Sequence, residues 1–176
     1  HNILSPGGDT LHLQALQDPN GSELTLLDGT YSLPLNSHGT TASLNLSRGT
    51  SRPEWTLKAL DIESRTVGAE LTLTQNLQRS RGVSWDVYTT VDWNDAESTS
   101  NGLQLSADHN RTLRMGSRTS TLDNLQGFTT VDVMLSHGLD AMGSTGRGEV
   151  NASRLRGTGS EFRKLNLTTS RLQRLN

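Results

Sequence analysis

Residues 83–93 read Val-Ser-Trp-Asp-Val-Tyr-Thr-Thr-Val-Asp-Trp, and this stretch decides the class of fold. Apolar and polar residues alternate in it with a period of two, which is the period at which a β-strand places side chains on its two faces. One face carries Val83, Trp85, Val87, Thr89, Val91 and Trp93, and the other carries Ser84, Asp86, Tyr88, Thr90 and Asp92. The stretch therefore predicts a strand with one apolar and one polar face.

The same alternation continues outward in both directions, and helical periodicity is nearly absent. Further strands are predicted at 10–17, 23–33, 41–47, 64–75, 128–136 and 162–173, with a short strand or edge at 55–60 and a strand pair at 102–107 and 111–121. Polar stretches at 48–53, 76–82 and 94–101 are predicted as connections, and Gly29 as a bend or bulge. The pattern predicts an all-β fold. The predicted architecture is an antiparallel up-and-down β-meander that forms a β-barrel or part-barrel of about 8–9 strands, in a single β-barrel-like domain over residues 1–176.

Composition limits the classes of protein that the chain can represent. Of its 176 residues, 31% are hydrophobic and 4% are aromatic, so a large buried core is not expected. No apolar run reaches the length of about 18 residues that a transmembrane helix requires. The net charge of −2 gives no footprint for nucleic acid, and the lack of cysteine excludes disulfide and thiolate chemistry.

The sequence predicts a non-enzymatic protein without catalytic, cofactor-binding or metal-binding residues. The five histidines are scattered without the spacing of a metal site. Asp92, Asn94, Asp95 and Glu97 offer oxygen ligands for Ca²⁺, but they lack the spacing of a known calcium loop, and a solvated acidic loop is the favoured interpretation. No Gly-x-Ser-x-Gly motif is present.

Two groups of residues are candidates for function. Trp85 and Trp93, with Val87 and Val91 between them, are predicted to anchor one strand face in a membrane or a protein core. The two tryptophans are about 26 Å apart along a strand at about 3.3 Å per residue, which is close to the height of a lipid-facing band. The second group, Arg147, Arg154 and Arg156, belongs to a long loop whose tip, about 141–160, is predicted to project from one rim.

Six segments, in order, resemble the outer-membrane transporters of two-partner secretion of the hemolysin-activator type. They are NILSPGGDTLHL at 2–13, YSLPL at 31–35 with Gly39 and Thr40, LDIESRTVG at 60–68, QNLQRSR at 75–81, GLDAMG at 138–143 and FRKLNLTTSRLQRL at 162–175. The resemblance covers the first half of that family's barrel. The family's Arg-Gly-Tyr-type plug motif has no match, because neither Arg81-Gly82 nor Arg147-Gly148 is followed by an aromatic residue. Transport activity therefore does not carry over from the resemblance alone.

This resemblance implies a bacterial outer-membrane β-barrel protein related to transporters that export a partner polypeptide. The expected partners are a secreted polypeptide, or copies of the chain itself through strand edges, together with outer-membrane lipid. The alternative is an extracellular structural subunit that assembles through strand edges into a ring, tube or fibre. A soluble ligand-binding β-barrel is the third hypothesis. A need for detergent favours the membrane protein, fibres or tubes without detergent favour the structural subunit, and a soluble monomer favours the third.

Overall fold

The structure is a computed structural model that describes residues 8–19, 23–53, 55–153 and 159–173. Eight strands form one antiparallel sheet in which every strand pairs with its neighbour in sequence. The strands are β1 Thr10–Gln17, β2 Leu24–Pro34, β3 Thr40–Ser51, β4 Ile62–Arg79, β5 Val83–Ser100, β6 Leu103–Leu122, β7 Phe128–Gly138 and β8 Arg163–Leu172. The prediction of an all-β up-and-down meander is confirmed. In the described residues β1 and β8 form the two edges, and the sheet is not closed.

Strand lengths differ across the sheet. The central strands β4, β5 and β6 contain 18, 18 and 20 residues, whereas β1 contains 8 and β8 contains 10. The predicted loops at 94–101 and 48–53 were wrong, because β5 continues to Ser100 and β3 continues to Ser51. Backbone pairing with β4 continues there although the apolar alternation has stopped, since ladder hydrogen bonds do not depend on side-chain polarity.

Three further predictions are corrected. The separate strands at 102–107 and 111–121 are one strand, β6, which stays paired with β5 through His109 and Asn110. The predicted strand at 55–60 is a 3-10 helix, Trp55–Leu60. The predicted connection at 76–82 is mostly strand, with a register shift between Asn76 and Gln78. Gly29 is not at a bulge: its pairing with Leu13 is regular, and a Cβ there would lie 3.1 Å from Leu13 Cδ2.

The connections fall into two classes, one at each end of the strands. One rim carries the turns at 35–39, 80–82 and 123–127. The opposite rim carries the connections at 18–23, 52–61, 101–102 and 139–162. The three longest connections, 18–23, 52–61 and 139–162, are therefore at one rim, which also carries the two-residue turn at 101–102. Long loops on one side are typical of outer-membrane barrels. Within the described residues, no helix is long and apolar enough to cross a bilayer.

One face of the sheet is apolar and exposed to solvent. Among the described residues, no hydrophobic side chain is buried, and the buried side chains are all polar or charged. Most exposed apolar side chains of the strands lie on one face, including Leu13, Leu46, Leu71 and Leu165. The other face carries exposed apolar side chains near the strand ends: Leu16, Leu26, Leu122, Phe128 and Leu172. A soluble domain buries such a face against a second layer. The sheet is therefore a single wall with an apolar face that no other described element covers.

Candidate functional site

The polar face of the sheet is lined by hydroxyl and amide side chains that bond across neighbouring strands. Four hydroxyl pairs connect adjacent strands: Ser32–Ser43 at 2.7 Å, Ser64–Ser98 at 2.9 Å, Thr72–Thr90 at 2.8 Å and Ser120–Thr130 at 3.1 Å. Asn45 Nδ2 also donates to Asp28 Oδ2 at 2.8 Å and to Thr30 Oγ1 at 2.9 Å. These pairs satisfy polar groups on a face that stays hydrophilic.

Two arginines of β6 form ion pairs in the middle of this polar face. Arg114 Nη1 lies 3.2 Å from Glu70 Oε2, and its Nη2 lies 3.4 Å from Asp92 Oδ1. Arg118 lies four residues further along β6 on the same face, and its Nε donates to Asp132 Oδ2 at 2.8 Å. Basic and acidic groups thus neutralise one another across β4, β5, β6 and β7.

Tyr88 connects this charged cluster to a glycine. Its hydroxyl donates to Asp132 Oδ1 at 2.9 Å, and Arg118 Cζ lies 5.8 Å from the ring centroid. The ring covers Gly116, where an added Cβ would lie 2.3 Å from Tyr88 Cζ. An aromatic ring over a strand glycine fills the space of the missing side chain. Gly116 is therefore required for the position of Tyr88 rather than for a turn.

The apolar face carries the predicted anchor residues. Trp85, Val87, Val91 and Trp93 project from the same face of β5, in register with residues of the same face in β4 and β6. Trp85 and Trp93 are 42% and 39% exposed, so no other described element buries them. Trp85 Nε1 donates to Ser117 Oγ at 2.8 Å, which satisfies its polar group on this face. Their role as lipid anchors stays a prediction.

The apolar band crosses the sheet obliquely. Its middle in β1, Leu13, is in register through β2, β3 and β4 with Trp93 of β5. Its middle in β8, Asn166 between Leu165 and Leu167, is in register with Tyr88. Measured on β5, the centre of the band therefore shifts by five residues, from Trp93 to Tyr88, between β1 and β8. This shift is about 17 Å along the strands over about 33 Å across the sheet, so the band is inclined by roughly 30°. Strands of outer-membrane barrels tilt by about 35–45°.

Residues 139–153, the first described part of the connection between β7 and β8, lie along β6. β7 ends opposite Thr112, so the first nine residues of β6 have no strand partner on that side. Backbone bonds fill this edge: Leu139 N to Arg111 O at 2.8 Å, Thr145 N to His109 O at 2.9 Å and Ala107 N to Asn151 O at 2.7 Å. The side chain of Thr145 is fully buried. We call the described residues 139–153 the docked segment.

Of the three predicted loop-tip residues, Arg147 lies within the described residues. Arg147 is exposed, and its Nη2 donates to Glu161 Oε2 at 2.9 Å. Arg154 and Arg156 lie outside the described residues. The docked segment therefore holds the start of the predicted tip against the rim.

Arg111 links the docked segment to β5. It is 4% exposed; Nη1 donates to Asp95 Oδ1 at 2.6 Å and to Asn110 O at 2.9 Å, and Nε donates to Met142 O at 3.2 Å. Its guanidinium also lies 4.0 Å from the centroid of Trp93. Sequence reasoning missed this residue, because residues 108–110 were interpreted as a gap between two strands.

Asp95 accepts from Arg111 and lies 2.9 Å from His109 Nδ1. Burial alone raises the pKa of the Asp95 carboxyl, but the hydrogen bonds from Arg111 and His109 outweigh it, and the pKa lies below its usual range. The predicted acidic loop does not exist as one group, because Asp92 and Asn94 point to the polar face and Asp95 and Glu97 to the other. In the described part of the chain, no group of three or more His, Cys, Asp or Glu could hold a metal ion.

The comparisons with known proteins agree with the geometry. A profile described as "Haemolysin secretion/activation protein ShlB/FhaC/HecB" matches residues 9–176, nearly the whole chain. Comparisons with curated proteins and with solved structures give no significant match. The chain therefore belongs to the ShlB/FhaC/HecB haemolysin secretion/activation family, the outer-membrane β-barrel transporters that export a partner polypeptide in two-partner secretion.

Proposed function

We propose that this chain forms a wall of a transmembrane barrel in the bacterial outer membrane, in which the polar face lines a conduit for an extended partner polypeptide. The observation that carries the proposal is the separation of the two faces. One face has an exposed, oblique apolar band, and the other has paired charges and hydroxyl groups. Lipid covers the first face in this arrangement, and water and the passing polypeptide contact the second.

The apolar band supports lipid as the covering medium. The exposed side chains of this band include Leu13 at 71% and Leu167 at 69%. A contiguous apolar surface of this extent is unfavourable in water and is typical of a membrane or interaction surface. Trp85 and Trp93 lie near the two boundaries of the band in β5, where indole rings are favoured at membrane interfaces.

The polar face suits weak contact with a moving chain. Arg114 and Arg118 already have carboxylate partners, and many hydroxyl groups are paired. In the middle of this face, an extended polypeptide therefore meets mainly hydrogen-bonding groups and paired charges. Conduction requires such weak, repeated contacts, because tight binding at any one site stops movement.

The barrel wall is completed through β1 and β8. An open sheet edge exposes unpaired N–H and C=O groups, and in a bilayer each unsatisfied group costs several kcal/mol. Further strands therefore pair with both edges in the membrane. The strands of a second copy of the chain are one source of such partners, which relates this proposal to the alternative of assembly through strand edges.

Adjacent residues of β4 test the assignment of the faces, and the chain has no native cysteine to interfere. Leu73 points to the apolar face and Thr74 to the polar face. Leu73→Cys and Thr74→Cys chains, inserted in membranes, are treated with a water-soluble maleimide that does not cross bilayers. We expect rapid labelling of Thr74→Cys and slow labelling of Leu73→Cys. Denaturation must equalise the two, as a control for reactivity. Equal labelling in the membrane contradicts the proposal.

A further inference from the structure

A groove lies in the apolar face near the long-connection rim. Its floor includes Gly29 and Ala69, two small residues that lie in one row of the sheet on either side of Leu46, and it has a volume of about 820 Å³. Ligand clefts of proteins occupy roughly 300–1,000 Å³, so the groove has room for an apolar chain. Its walls are formed by Leu11, Leu13, Leu27, Tyr31, Leu44 and Leu46.

Two arginines stand at the end of the groove that faces the long-connection rim. Arg48 lines the groove and follows Leu46 on the same face of β3. Arg48 is paired in register with Val67, and Arg65 is the next residue of β4 on that face toward the same rim. Diagonal neighbours of this kind have Cβ atoms about 7–8 Å apart. The two guanidinium groups can therefore reach one ligand group together.

The charges around these arginines leave them available. Both are exposed, and neither makes an ion pair or side-chain hydrogen bond within the described residues. Nearby acids on this face have other partners: Glu63 is bonded to Arg52, and Asp95 to Arg111. Glu97 is in register with Arg65 but forms no ion pair with it among the described residues.

We propose that Arg48, Arg65 and the Gly29 groove form a binding site for an anionic, phosphate-bearing lipid of the outer leaflet. This inference rests on the proposed membrane orientation. The acyl chain lies in the groove, and the two guanidinium groups hold the headgroup phosphate through charge-assisted hydrogen bonds. The groove binds the acyl chain of the lipid, and the arginine pair binds its anionic headgroup at the membrane surface.

Spin-labelled lipids in phosphatidylcholine vesicles test the site on the inserted chain. Electron paramagnetic resonance gives the fraction of lipid immobilised by protein, for phosphatidic acid and for phosphatidylcholine. We expect the wild-type chain to select phosphatidic acid. Each arginine near an anionic headgroup contributes about fivefold, so R48Q and R65Q each lower the selectivity by about that factor, and the double variant abolishes it. The control R79Q removes an exposed arginine near the opposite rim and must preserve the selectivity.

Further results separate the parts of the proposal. Ala69→Phe fills the groove floor and is expected to lower immobilisation of phosphatidic acid; unchanged binding overturns the role of the groove. Competition by millimolar inorganic phosphate overturns the lipid assignment, because the headgroup alone is then the ligand. Equal immobilisation of both lipids by the wild type overturns the site but not the membrane orientation. If neither lipid is immobilised, the proposed function itself fails.

Discussion

At the scale of single residues, the polar face depends on close contacts that allow no added atom. The Tyr88 ring lies against Gly116 and carries its hydroxyl to Asp132, which also accepts from Arg118. Arg111 has a comparable role at the rim, where it is nearly fully buried and bonds to side-chain and backbone acceptors. Tyr88 and Arg111 each hold side chains of neighbouring strands in place, so substitutions at or beside them are expected to change the local structure.

Gly116→Ala is expected to push the Tyr88 ring away and break its hydrogen bond to Asp132. A hydrogen bond to a charged group contributes about 1.5–3 kcal/mol, so a decrease of about 2 kcal/mol in the free energy of unfolding is predicted. Denaturant unfolding of the inserted chain, followed by tryptophan fluorescence, measures it. Gly82→Ala is the control, since its Cβ would meet Leu122 O at an ordinary 3.7 Å. Equal effects of both variants contradict the prediction.

Arg111→Lys is expected to release the docked segment, because an ammonium group cannot reproduce the fork of bonds to Asp95, Asn110 and Met142. We predict that trypsin cleaves after Arg147 about tenfold faster, which corresponds to about 1.4 kcal/mol of easier local opening. Arg79→Lys, at an exposed site, serves as the control. An unchanged cleavage rate would show that Arg111 does not hold the segment.

At the scale of elements, the unequal reach of neighbouring strands shapes the rim. β6 begins at Leu103, but β7 ends opposite Thr112, and the docked segment covers the remaining edge of β6. An exposed strand edge is a template for unwanted pairing, and a covering loop removes it. At the end of β7, the backbone of Gly138 lies close to the backbone of Ser160. A Cβ at position 138 would be 1.9 Å from Ser160 O, so this approach requires glycine.

The contact of Arg111 with Asp95 predicts a pH dependence of the rim. The folded pKa of Asp95 is lowered from 3.8, so its stabilising contribution is fully present above the unfolded value and is lost as pH falls through the folded pKa. Trp93 fluorescence reports the loss, because Arg111 stacks on its ring. In a chain with Trp55 and Trp85 replaced by Phe, we expect a reversible change at pH below 3.8.

Asp95→Asn removes the titrating group while retaining the shape of the side chain, and is expected to abolish that change. Since the Asp95 side chain is partly solvated, the variant also tests how much of the ion pair survives solvent screening. A fluorescence change that persists in Asp95→Asn would assign the titration to another group.

At the scale of the whole molecule, one sheet separates two environments in the proposed membrane arrangement. Because side chains alternate along each strand, eight strands in continuous register produce a wall with one apolar and one polar face. The oblique course of the apolar band is what tilted strands produce when a level membrane crosses them. The described sheet leaves β1 and β8 as edges, and the proposed barrel wall therefore needs strand partners for both.

If β1 and β8 gain strand partners in the membrane, their outward-pointing amides are protected. We expect hydrogen exchange in β1 and β8 of the inserted chain to be as slow as in β4 and β5, and exchange as fast as in loops would contradict pairing. Mixed Gln14→Cys and Thr168→Cys chains, treated with a flexible bis-maleimide, reveal the partner. A heterodimer identifies a second copy, and mixtures of one variant with itself serve as the control.

The sequence by itself determined the all-β class, the antiparallel order and which residues share a face. Period-two alternation records side-chain direction locally, as residues 83–93 show. The sequence did not determine where strands end, because β3, β5 and β6 continue as polar ladders held by backbone bonds to neighbours distant in the chain. Only the tertiary structure decided the docked segment and the Arg111–Asp95 contact, since both depend on how far β6 extends beyond β7.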